Sequence, residues 1–259
     1  MEDALEEAAA DGAVLVEVRF GQEEVLRPGF MALFREVERR VQARYPALRA
    51  EAICILMPWQ MPELLERLLD ACICAAREHD GLAGIDLLYQ PYDAQAEWEP
   101  MYRAAERAAD AGLGITAHAG EFSPANIAAA LRVPHLSRSG HAVYAARDPR
   151  LLDQLAHSGV TVECSLSCNV VLGAVPSYEE HPIHQFVEHG IPVALCADVP
   201  VQIATTIGRE YALAHALGFS PAELVGFTTN AIHASFTTPA RKATLLAELA
   251  ERGDGRKSS

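Results

Sequence analysis

The stretch Thr116-Ala117-His118-Ala119-Gly120-Glu121 sets a histidine and a glutamate on either side of a small-residue turn. A neutral imidazole nitrogen is a metal ligand, and a nearby carboxyl can carry a proton to or from whatever the metal activates. Gly120 permits a tight backbone turn, so that both side chains can face one cavity. A second histidine, His141, stands in Ser139-Gly140-His141-Ala142, and a carboxylate, Asp198, in Leu195-Cys196-Ala197-Asp198. Each has a structural alternative when taken alone. A strand-end histidine is more often a hydrogen-bonded structural group, His141 could wall a pocket, and Asp198 could cap a helix. Three such residues at the ends of three strands are hard to explain as separate coincidences.

The elements that must position them follow a repeated pattern of a short apolar run and then an amphipathic stretch. The runs predict strands at Ala13–Phe20, Ala52–Met57, Ala83–Leu88, Gly114–His118, Ser137–His141, Val160–Ser165 and Pro192–Ala197. Helical periodicity falls between them, as in Gly29–Ala43, Met61–His79, Trp98–Ala111 and Leu151–His157. Ser123-Pro124, Asp148-Pro149 and Ser220-Pro221 read as helix starts, and Gly190 and Gly218 as helix stops. Alternation of this kind implies parallel strands with right-handed crossovers, as in a doubly wound sheet or a barrel. No Gly-x-Gly-x-x-Gly turn follows any predicted strand, which weakens the dinucleotide-binding version. Polar residues gather instead at strand ends (Glu17, Arg19, Asp86, His118, His141, Asn169 and Asp198), as a barrel's site requires. The predicted fold is therefore α/β, a (β/α)₈ TIM barrel, but with one strand–helix unit too few. The chain opens with a helix, Glu2–Ala10, which predicts that the first strand and its loop are missing. Terminal helices are expected at Thr206–Leu217, Ala222–Ala234 and Ala240–Glu251, then a polar tail over 252–259. Residues 1–259 read as one domain.

The formal net charge is −14, so phosphate backbones and anionic lipid are poor partners, whereas a neutral small molecule is not excluded. Six cysteines form no metal-finger spacing and lie mostly in apolar runs, which fits reduced core thiols. No apolar run reaches membrane-spanning length, and the acidic, Ala-rich N-terminus is unlike a targeting peptide. The expectation is a cytoplasmic protein that binds neither nucleic acid nor membrane.

Several motifs together resemble one family. His118-Ala119-Gly120-Glu121 is similar to the His-Ala-Gly-Glu signature of the adenosine deaminase family, within the metal-dependent amidohydrolases. Glu17-Val18-Arg19-Phe20 resembles its Glu-Leu-Arg-Phe strand, and Arg138-Ser139-Gly140-His141-Ala142 its Arg-Ile-Gly-His-Gly. His181-Pro182 matches a His-Pro, Ala197-Asp198-Val199-Pro200 resembles Thr-Asp-Asp-Pro, and similarity continues through Glu210-Tyr211, Asn230-Ala231 and Ser235-Phe236. The resemblance implies zinc, one per complete chain, with His118 and Asp198 as ligands. It implies hydrolytic loss of ammonia from an adenosine-like or other aminopurine compound. Glu121 would protonate the ring nitrogen beside the attacked carbon, and His141 would orient the attacking hydroxide.

Departures from the family pattern bear on substrate and activity. The family's missing first strand carries a His-x-His ligand pair, and no His-x-His occurs in this sequence. Val199 replaces an aspartate that contacts the purine, and Tyr89 replaces a pocket glycine, which predicts crowding of the nucleoside position. Ser165-Leu166-Ser167-Cys168-Asn169 keeps the Asn of Cys-Pro-x-Ser-Asn but loses its Pro. Trp59 and Trp98 read as rim aromatics, and Asn230 and Phe236 as packing residues. An alternative stays open: a catalytically inactive deaminase relative acting as a small-molecule or protein binding module.

Overall fold

The computed structural model describes residues 1–57, 62–78, 81–89, 94 and 96–255. The predicted position of Trp59 lies outside these residues.

Seven strands form one sheet: β1 (Leu15–Phe20), β2 (Arg49–Leu56), β3 (Gly84–Leu88), β4 (Gly114–Ala119), β5 (Leu136–His141), β6 (Thr161–Cys164) and β7 (Val193–Leu195). Every neighbouring pair is parallel, and the strands pair in strict chain order from β1 to β7. Sequential parallel order is the barrel pattern, since a doubly wound sheet reverses its order partway. The sheet is a curled, incomplete (β/α) barrel lacking one strand. Among the described residues β1 and β7 each pair on one side only.

Helices cover the outside. The first five are α1 (Glu2–Ala10), α2 (Gln22–Val25), α3 (Phe30–Gln42), α4 (Pro62–Ala76) and α5 (Glu99–Asp110). The next four are α6 (Ile127–Ala130), α7 (Pro149–Ser158), α8 (Leu166–Val171) and α9 (Ile183–Glu188). The last are α10 (Pro200–Ile203), α11 (Ile207–Ala216), α12 (Pro221–Ala234) and α13 (Pro239–Gly255). In α3 the helical spacing of Phe30, Phe34, Val37 and Val41 buries one face, with Phe30 and Phe34 edge-on to Phe20 of β1. Asp148 accepts from the Arg150 amide to start α7, and Ser220 with Glu223 forms a full capping box on α12. Ser123-Pro124 departs from expectation. The Ser123 hydroxyl accepts from the Ala125 amide in a local turn, and the helix that follows is only the four residues of α6. α13 continues to Gly255, into the stretch expected to be tail.

The two edges of the sheet differ. All six residues of β1 are partly exposed, whereas every residue of β3 and β6 is buried. β7 is covered by α12. The Pro192 carbonyl just before the strand accepts from Val162 of β6, so the Val193 carbonyl points to the other side, where Asn230 donates to it at 3.0 Å. Opposite the strands' C-terminal ends, Phe236 fills the floor of the barrel. A Cβ placed on Gly114 or Gly84 would lie 2.1 Å or 2.4 Å from the Phe236 ring, so only glycine allows this approach. The Arg138 guanidinium stacks on the same ring at 3.8 Å, which makes Phe236 a packing residue, as expected. No helix among the described residues is long and apolar enough to cross a membrane.

Candidate active site

Parallel register aligns the site. His118 of β4 lies opposite Leu88 of β3 and Gly140 of β5, and Ala119 lies opposite His141. The two imidazoles therefore sit on adjacent strand ends, with ring centroids 5.1 Å apart. Just past β4 the backbone turns left-handed at Gly120 (φ 74°), where a Cβ would also meet Ile127 at 2.7 Å. That turn brings Glu121 back over the strand ends, with its Oε2 3.7 Å from His141 Nε2. Asp198, just past β7, reaches the same nitrogen, its Oδ2 at 3.8 Å. His141 and Asp198 themselves have positive φ, 66° and 58°, a conformation that non-glycine residues adopt at a cost. All four predicted residues thus converge, and His118, His141 and Asp198 each offer a ligand atom within 4.8 Å of the others.

Beneath this layer lies a largely buried set of charges. Arg19 of β1 ion-pairs with Asp86 of β3 and Glu163 of β6, both at 2.5 Å. Arg138 of β5 pairs with Glu17 of β1, and its Nε lies 3.1 Å from Glu163, close enough for ion pairing but poorly aligned as a hydrogen bond. Thr116 also donates to Glu163. Burial alone would raise the Asp86 and Glu163 carboxyls, but His118 and Arg19 hold Asp86, and Arg19 and Arg138 hold Glu163, well below the usual range. Asp86 in turn contacts His118 Nδ1 at 3.0 Å, which leaves Nε2 as that ring's ligand atom. Burial pulls the His118 pKa down, yet the Asp86 carboxylate outweighs it and the net shift is upward.

Glu121 behaves in the opposite way. Burial pushes its carboxyl from 4.5 up to about 7; His118 draws it down and Asp198 pushes it further up. His141 is pushed down to about 4 by burial and then by His118, so it is neutral at physiological pH. The site combines a protonated carboxyl, a neutral imidazole, a carboxylate and a second imidazole backed by Asp86. Such a set can deliver a proton to one atom and hold an oxygen nucleophile beside it.

Sequence reasoning passed over several supporting residues. Glu163 was hidden inside an apolar run, although a lone acid in a buried strand is itself the signal for a paired charge. Glu210, fully buried, accepts from the Ser167 amide at 3.0 Å and from Thr205 at 2.7 Å, which ties α11 to α8. Cys168, counted as a core thiol, lies with Glu121 and Asp198 in a second set whose ligand atoms fall within 4.8 Å. Its thiol is pushed up by burial and by its hydrogen bond to Asp198, so it stands protonated beside the carboxylate. Tyr89 is tied back, its ring 4.6 Å from Trp98 and its hydroxyl donating to the Glu97 carbonyl. Trp98 and the Ala96 amide both donate to Asn126, which binds that loop to the start of α6.

Known proteins share this fold and parts of this sequence. A curated adenine deaminase of Rhizobium leguminosarum is 42% identical over 149 residues, 57% of this chain and 46% of that protein. The solved adenine deaminase of Arthrobacter aurescens shares 26% identity at a TM-score of 0.81, over 98% of this chain and 78% of that one. A zinc-bound amidohydrolase of Burkholderia ambifaria has the same fold, with a TM-score of 0.81 at 23% identity over 98% and 71% of the two chains. The chain spans about half the length of the curated relatives it matches. A family model described as adenosine deaminase matches residues 2–252, and with the strand order and the His118–Glu121–His141–Asp198 cluster this shows that the chain belongs to the adenosine deaminase family.

Proposed function

We propose that this chain carries the catalytic core of a zinc-dependent aminopurine deaminase, with adenine as the first compound to test. The observation that carries the reading is the convergence of Glu121, His141 and Asp198 on one point, with Glu121 protonated up to about pH 7. The donor chemistry suits zinc. His118 spends Nδ1 on Asp86 and keeps Nε2 free, and Asp198 supplies an oxygen from the opposite strand end. These two residues would hold the ion, as half of a four-ligand set. When bound, zinc lowers the pKa of water from 15.7 toward ~7 and so supplies a nucleophile at neutral pH.

The remaining work falls to the chain's own residues. Glu121 donates its proton to the ring nitrogen beside the amino-bearing carbon, which makes that carbon electrophilic. His141 directs Nε2 at the attacking oxygen, and Asp198 accepts the proton of that oxygen. The carbon–oxygen bond forms, Asp198 passes the proton it accepted to the amino nitrogen, and the carbon–nitrogen bond to that group breaks. One ammonia leaves for each water consumed, the other proton of that water returning to Glu121.

A second reading, a binding module without turnover, has one feature in its favour: Val199 offers no polar group where the family uses an aspartate. One experiment separates the two. The purified chain is loaded with zinc, its metal content is measured, and ammonia release from adenine, adenosine and other aminopurines is followed. Stoichiometric zinc with ammonia release supports the deaminase. Stoichiometric zinc, tight aminopurine binding and no ammonia would overturn it in favour of the binding module.

A further inference from the structure

We propose that a hydrogen-bond relay of fixed direction, from the Ile183 amide through His181 and Asn169 to His141, locks His141 as its Nε2–H tautomer and makes Asn169 and His181 positioning residues for the site. The relay begins at a group with no choice of role. The Ile183 N–H can only donate, and it meets His181 Nδ1 at 3.2 Å, so that nitrogen accepts. A neutral ring then carries its proton on Nε2, which lies 3.1 Å from Asn169 Oδ1, an atom that can only accept. This orients the side-chain amide, sending Asn169 Nδ2 to His141 Nδ1 at 3.1 Å. An NH₂ group can only donate, so His141 Nδ1 accepts and the His141 proton must sit on Nε2. That is the atom facing Glu121 and Asp198.

These bonds are shielded from solvent. His141, Asn169, His181 and Ile183 are all at most 3% exposed. The members come from separate segments, each fixed independently. Asn169 lies in α8, whose first turn is anchored by the Ser167–Glu210 bond, and His181 lies just before α9. His141 is held at the end of β5 by its pairing with Ala119.

The chemical consequence divides the His118, His141 and Asp198 set. A ring that carries its proton on Nε2 and spends its Nδ1 lone pair on Asn169 has no lone pair for a metal. It is a hydrogen-bond donor toward the reacting oxygen and not a base. That consequence rests on the proposed deaminase reading; the tautomer itself does not.

The test is the two-bond proton–nitrogen correlation spectrum of the ¹⁵N-labelled full chain at neutral pH, with His141 and His181 assigned by their Gln variants. Both rings are expected to show a pyridine-type Nδ1 and a pyrrole-type Nε2. In Asn169→Asp the carboxylate can only accept, so His141 Nδ1 should gain a proton and become pyrrole-type. His181→Gln still offers an N–H to Asn169 and should keep the wild-type His141 pattern, whereas His181→Leu should give mixed tautomers. A wild-type His141 protonated on Nδ1 would overturn the relay, as would a folded Asn169→Asp chain with an unchanged His141. If Asn169→Asp does not fold, the wild-type spectrum and the two His181 variants decide the matter. No turnover is measured, so a chain that shows the expected tautomers but releases no ammonia counts against the deaminase reading alone.

Discussion

Glu121 and Glu163 are equally buried, 5% and 6% exposed, yet the fold holds them in opposite protonation states. Glu163 sits inside the sheet between Arg19 and Arg138, which keep it ionised well below the ordinary range. Glu121 sits past the strand end. No arginine or lysine pairs with it among the described residues, and its carboxyl rises to about 7. Equal burial with opposite outcomes means that charged partners decide the result, not depth. The lower layer is a structural lattice in which every carboxylate has an arginine partner. The upper layer is left unneutralised, and that leaves it a proton to give.

The sharpest way to break this contrast is to replace each acid by its amide. Glu121→Gln should cost ~10²- to 10⁴-fold in ammonia release, the usual contribution of a general acid, while leaving thermal stability unchanged or higher. Glu163→Gln should do the reverse. It strips a buried acceptor from two arginines and should lower unfolding free energy by about 3–5 kcal/mol in a urea titration. Two variants that lose stability equally would erase the distinction between the layers.

Proton linkage gives the next effect. His141 and His181 are depressed by burial to about 4 and about 3, so their contribution is complete above pH 6.5 and is lost as pH falls toward those values. Glu121 is raised, so its contribution is complete below pH 4.5 and is lost as pH rises to about 7. Between pH 6.5 and 4.5 two histidines oppose one glutamate, and the metal-free chain should lose about 3 kcal/mol on acidification. In Glu121→Gln the opposing contribution is gone and the loss should roughly double. Denaturant midpoints at the two pH values read both quantities, and an identical pH slope in the two chains would contradict the raised Glu121. The smallest effect belongs to the surface. Arg107 pairs with Glu66 and Asp70 in the open, and Arg107→Ala should cost only ~0–1 kcal/mol, screened further by salt. A larger loss would show that exposed charges matter here as much as buried ones.

Much of this was legible in the residues. The strand positions and the missing strand followed from counting apolar runs, because buried parallel strands are apolar throughout. The barrel order followed from the polar residues at the strand ends and the lack of a dinucleotide-binding turn. The four site residues were legible because polar groups at strand ends stand out against such runs. β2 begins three residues before the predicted Ala52, since Arg49 and Glu51 disguise a strand whose polar side chains find partners: Arg49 donates to the Pro46 and Leu48 carbonyls, and Glu51 pairs with Arg35. The relay was not legible. His181 and Asn169 are twelve residues apart in the chain, and their meeting with His141 depends on how α8 and α9 pack. The direction of the Tyr89 side chain was not legible for a related reason. Substitution of a glycine by a tyrosine implies bulk in a pocket, but the direction of the side chain is set by Trp98 and the Glu97 carbonyl.

The most direct measurement is a ¹³C titration of the carboxyl carbons of Glu121 and Glu163 in the metal-free chain, assigned by the two Gln variants. The account predicts that Glu121 titrates near pH 7 while Glu163 stays ionised down to at least pH 4.5. A Glu121 carboxyl already ionised at pH 5.5 would contradict it, because the site would then hold no acid for the reaction.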